Sequence, residues 1–169
     1  MNKLSEITSR IFMRFTGYTY SNMARLFLRL FVGVMFIQFG IRHLVNFNDL
    51  CQQFPAVMGI SSEASLILMV IIELVCSLLI MVGFLTRLAT IPPIISMIAA
   101  EYYILHEHLP NSISYVLTWD QPGYLPIMFI GIYLFILLAG PGKISLDYLI
   151  SLFIISSQGK DEQEELEEV

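Results

Sequence analysis

Charge is scarce in this chain. Only 14% of its 169 residues are Asp, Glu, Lys or Arg, whereas 56% are hydrophobic and the mean hydropathy is +0.73. Soluble domains carry about a quarter charged residues, so an ordinary water-soluble fold is excluded. Cysteine is nearly missing as well. Cys51 and Cys76 are the whole complement, one in an expected loop and one inside an expected helix, which excludes a disulfide framework. A basic surplus is absent. The net charge of −5 belongs to residues 160–169, which hold one lysine and six acids, and the rest of the chain is neutral. No nucleic-acid footprint follows. Also lacking are C-x-x-C, a P-loop, G-x-G-x-x-G, a Ser-His-Asp spacing and a haem-attachment motif. The chain carries no complete catalytic constellation by itself.

What is present is long apolar runs. A helix needs about 20 mostly apolar residues to cross a hydrocarbon core roughly 30 Å thick. Ala24–Ile41, Ala64–Leu85, Leu88–Leu105 and Tyr124–Gly140 meet or approach that requirement. They lack the alternation of a barrel strand, so the expected fold is all-α, an integral membrane four-helix bundle. Pro92 and Pro93 fall in the first turn of the third run, where a missing donor costs little. Thr86 and Arg87 alone separate runs two and three, which predicts a tight hairpin.

Both ends look interfacial. Leu4, Ile7, Ile11, Phe12 and Phe15 share one helical face, which predicts an N-terminal amphipathic interfacial helix over 1–23 rather than a cleavable signal. Ile144–Ser157 is apolar but too short to span, and predicts a short C-terminal interfacial helix. The organisation is therefore 1–23, a transmembrane domain over 24–157, and an acidic disordered tail over 158–169. With both termini cytoplasmic, Lys3, Arg10, Arg14, Arg25, Arg29, Arg87, Lys143 and Lys160 lie inside and only Arg42 lies outside, as the positive-inside rule prefers.

Ionisable residues within such runs are costly, and each suggests a function. Helical rise places Glu73 about 18 Å and Glu101 about 20 Å from the cytoplasmic ends of adjacent helices. Gln38 and Tyr102 fall at similar depth, with Arg42, His43 and His106 nearer the outer surface. A polar cluster in the outer half of the bundle is expected. Two buried carboxyls cannot both be ionised cheaply, so one needs its own proton or an arginine, and Arg42 is the nearest candidate. The plain alternative is an interhelical hydrogen bond that fixes packing. Arg29 lies within snorkelling range of the headgroups, and its plain reading is an interfacial anchor. His106 and His108 form an H-x-H, but positions i and i+2 diverge on a helix, so no metal site is assigned. Cys76 reads as a small packing residue.

These residues resemble a known family. The face Arg29-x-x-x-Gly33-x-x-Phe36-x-x-x-Gly40-x-x-His43 is similar to the first helix of DoxX family membrane proteins. Glu73, Cys76-Ser77, Gly83 and Thr86-Arg87 resemble the family's second helix, with Cys76-Ser77 standing where many relatives have a Gly pair. Gly140-Pro141-Gly142-Lys143-Ile144-Ser145-Leu146-Asp147 resembles the signature after its fourth helix, and His106 matches a position often held by His. The resemblance spans about residues 24–150. It implies a four-helix protein of the bacterial inner membrane, one branch being associated with a thiosulfate:quinone oxidoreductase and others with oxidative-stress complexes. Ser145 and Asp147 are expected to cap the short helix that follows.

Three functions follow as expectations. One is a redox-associated subunit that binds a quinone-like or small amphipathic ligand near Glu73, Glu101 and His106, served by a soluble or membrane redox partner. Another is a non-catalytic scaffold that recruits a partner protein. The third is a small-solute or proton carrier, which the lack of an internal repeat disfavours.

Overall fold

The computed structural model describes residues 21–57, 59–108 and 124–158, with the backbone alone at 104–108 and 158. The regular structure of the described residues is all helical, with no strand among them. Five helices matter here: α1 (Ser21–Val45), α2 (Ser62–Val82), α3 (Ile91–His108), α4 (Tyr124–Ala139) and α5 (Leu146–Gln158). Each grows from one of the apolar stretches. The expected N-terminal helix, the 109–123 segment, the tail from 159 and the side chains of His106 and His108 lie outside the described residues.

Local chemistry sets the helix ends. Ser61 Oγ accepts from the Ala64 N–H at the start of α2, with Glu63 in the first turn where the helix dipole favours an acid. At the other end Gly83 is left-handed, and the N–H groups of Gly83 and Phe84 both reach the Leu79 carbonyl. Such a close needs a residue tolerant of positive φ. α3 opens after Thr90 with both prolines in its first turn.

α1 packs against α2 and α4, while α3 packs against α4 and α2, so the four helices close a ring of contacts. Its centre holds Val32, Phe36, Ile80, Met97, Phe129, Tyr133 and Ile136. Phe36 sits 5.3 Å from the Phe129 ring and 5.4 Å from the Tyr133 ring, which ties α1 to α4. The outside of the ring is apolar as well. Phe27, Phe31, Leu78, Val82, Leu138 and Phe153 are all about half exposed or more. A soluble protein would not leave so much contiguous apolar surface to water. α1 and α2 are each long and apolar enough to cross a membrane.

Two details depart from the sequence expectation. The second and third runs are not joined by a two-residue hairpin, because α2 stops at Val82 and one helical turn, Thr86–Ala89, intervenes before α3. The reason is backbone chirality. Gly83 and Leu85 both adopt positive φ, which ends α2 early and turns the chain. The second departure is a π-helical segment, Ile72–Cys76, in the middle of α2. It widens one turn at the residues that carry the polar groups.

Candidate functional site

Gly33 and Gly40 let α1 lie close on α2. A Cβ at Gly40 would stand 2.8 Å from Leu74 Cδ2 and 3.0 Å from Glu73 Cβ, and one at Gly33 would strike Met81 Cγ. That approach brings His43, one turn beyond Gly40, to Glu73 on the π segment. His43 Nδ1 and Glu73 Oε2 are 2.7 Å apart. Glu73 is 1% exposed, whereas the His43 side chain is 23% exposed. The two atoms share a hydrogen bond, and Nε2 makes none with the described residues. A buried acid thus orients an imidazole whose outer edge reaches the surface.

The loop after α1 folds over this pair. The Phe54 ring meets His43 edge-on at 5.9 Å. Ser62 Oγ donates to the Phe54 carbonyl, and the Val57 N–H donates to Ser65 Oγ at 3.2 Å. Tyr103 on α3 donates to the Ala56 carbonyl at 3.0 Å. The loop is therefore tied to both α2 and α3.

Arg42 was the expected partner of the carboxyls, and the structure replaces it with His43. Helical phase is the reason. His43 lies on the Gly33–Phe36–Gly40 face that meets α2, while Arg42 points away, exposed, with its guanidinium 6.0 Å from the Phe39 ring centre. Gln38 and Tyr102 are exposed too and do not join the pair. Glu101 is half-buried, and its two carboxyl oxygens are buried without a hydrogen bond to the described residues. No described contact joins it to Glu73.

The structure adds groups that the sequence did not single out. Tyr133 on α4 is fully buried, and its hydroxyl has no hydrogen-bond partner among the described residues. Ser77 Oγ is likewise buried and unpaired. The sequence did offer one signal for Tyr133, a hydroxyl in the middle of an otherwise apolar helix.

A second polar knot lies where α2 ends. Asp147 accepts from the N–H groups of Leu85 at 2.6 Å and Thr86 at 2.9 Å, and from Thr86 Oγ1 at 2.8 Å. The Asp147 N–H returns a bond of 2.9 Å to the Gly83 carbonyl. Ser145 caps α5, accepting from the Tyr148 N–H at 3.1 Å, but Asp147 caps the turn before α3 instead of its own helix. Arg29 is buried here and not snorkelling. Its Nη2 donates to the Ile144 carbonyl, and a Cβ at Gly83 would collide with its guanidinium. Gly140 backs onto the Arg87 guanidinium.

Residues 24–107, half of the chain, match the DoxX family model. The chain belongs to the DoxX family. No curated protein and no solved structure matches it. The matched DoxX stretch contains His43, the π segment with Glu73, and the Gly83–Thr86 turn. The Gly140–Asp147 motif lies beyond it and docks on that turn through Asp147. Family membership and the apolar helices together make this a membrane protein.

Proposed function

We propose that this DoxX protein is a four-helix membrane bundle that holds a quinone-like ligand against His43, as the proton-handling subunit of a redox system. α1 to α4 span the bacterial inner membrane in this reading, both termini are cytoplasmic, and α5 lies along the inner interface. The His43–Glu73 pair is the observation that carries the proposal. An imidazole steered by a buried carboxylate is suited to give a hydrogen bond or a proton to a carbonyl oxygen. A bound quinone would supply a two-electron, two-proton acceptor, and its electrons would come from a partner protein, since the sequence has no redox-centre motif of its own. Glu73 fixes the ring, and Phe54 offers an aromatic edge beside it.

The test is a titration of the purified protein in nanodiscs with a short-chain ubiquinone analogue. Saturable binding is expected, with His43→Gln weakening it about tenfold or more, the size of a hydrogen bond to a charged or polarised group. Equal binding by wild type and His43→Gln would remove the pair from the ligand site.

A further inference from the structure

At the opposite end from His43, the α1 start, the turn after α2 and the Pro141–Tyr148 segment enclose an open cleft of about 760 Å³. Arg25, Arg87 and Lys143 line it, and Asp147 is the single acid among the described residues of its wall. Both oxygens of that acid are already engaged by Leu85 and Thr86. Neither Arg25 nor Arg87 has a carboxylate within ion-pairing distance among the described residues. The Lys143 ammonium is held 5.7 Å from the Tyr148 ring centre, at the same wall. The cleft therefore carries two guanidinium charges without an ion-pair partner among the described residues, at the end of helices that are otherwise coated with apolar side chains.

Its rim is apolar. Leu85 and Leu88, both in its wall, are 48% and 61% exposed. A ligand that satisfies both parts has an anionic head and a hydrocarbon tail. We infer that this cleft binds the phosphate headgroup of an anionic phospholipid, with the acyl chains lying along α3 and α5. Arginine matches a phosphate oxygen pair with two donors of one fork. Basic pockets between membrane helices recognise anionic headgroups by the same chemistry. The site is independent of the His43 reading, and neither stands or falls with the other.

Native mass spectrometry of the full chain, titrated in parallel with phosphatidylglycerol and phosphatidylcholine of identical chains, tests it. Phosphatidylglycerol is expected to bind about tenfold more tightly. In the Arg25→Gln/Arg87→Gln double variant that ratio should fall to near one. Lys143→Gln, a single exposed change, should lower it about threefold and serves if the double variant does not fold. Inorganic phosphate at matched concentration should leave the lipid adduct in place. Equal binding of the two lipids by wild type overturns the proposal, as does a ratio that none of these substitutions changes. Inorganic phosphate that binds as tightly as the lipid would assign the cleft to a soluble phosphate and overturn the lipid reading.

Discussion

His43 and Glu73 lie 30 residues apart in sequence and share one hydrogen bond. Their exposures differ, and so should the cost of removing each. His43→Ala strips a buried carboxylate of its partner and is expected to destabilise the protein by about 3 kcal/mol. Glu73→Gln keeps an acceptor for the imidazole, and its cost should be below about 1 kcal/mol. Unfolding in mixed micelles of increasing denaturant content would measure both. Equal small losses would mean that the two side chains are not paired in the folded protein. Asp147 is the other residue on which several bonds converge. Asp147→Asn removes the charge and one acceptor from a carboxylate that serves two N–H groups and a hydroxyl. A loss of about 2 kcal/mol is expected, read as a lower thermal midpoint in detergent. An unchanged midpoint would show that the turn at Leu85 holds without it.

Among the elements, the π segment of α2 is the one with a separable role. π-bulges amount to one inserted residue and recur at functional sites. Val75 is the exposed member of Ile72–Cys76. Deleting it should convert the segment to ordinary α-helix while the residues on either side, Leu66 and Val70 before and Ser77 and Ile80 after, keep their buried faces. The variant is expected to retain full helicity by circular dichroism and to lose ubiquinone-analogue binding. Retained binding would make the widened turn irrelevant to the site. Collapse of the fold would mark it as a packing requirement of the α1–α2 contact, where Gly33 and Gly40 leave no spare room.

For the molecule as a whole, the positions of the cations and of the two polar regions bear on the proposed orientation. Arg25, Arg29, Arg87 and Lys143 gather at the end where Asp147 docks, and His43 lies toward the other. The orientation with that basic end in the cytoplasm leaves Cys51 outside. Cys51 should react with a membrane-impermeant maleimide in intact spheroplasts, and buried Cys76 should react only after denaturation. A cysteine placed at Lys143 in a cysteine-free background should label only once the membrane is opened. Cys51 labelling that requires lysis would invert the topology.

The apolar runs alone determined that the regular structure of the described residues is helical, where α1 to α4 lie to within a few residues, and that Glu73 is costly enough to matter. Those properties follow from local composition and the 3.6-residue period, which a single stretch of sequence carries. The same period put Gly33, Phe36, Gly40 and His43 on one face. It could not say which face of α2 would meet them, since that depends on the rotation of two helices about their axes and on a π turn that shifts the phase between them. Only the tertiary structure therefore replaced Arg42 with His43 as the partner of Glu73, and buried the Tyr133 hydroxyl of α4. The same holds for the terminal motif. Ser145 capping its own helix is local and was legible, whereas Asp147 closes a turn 61 residues earlier. Arg29 is buried by a carbonyl 115 residues away. Contacts at such separations are set by how the helices close on one another, and no local pattern encodes them.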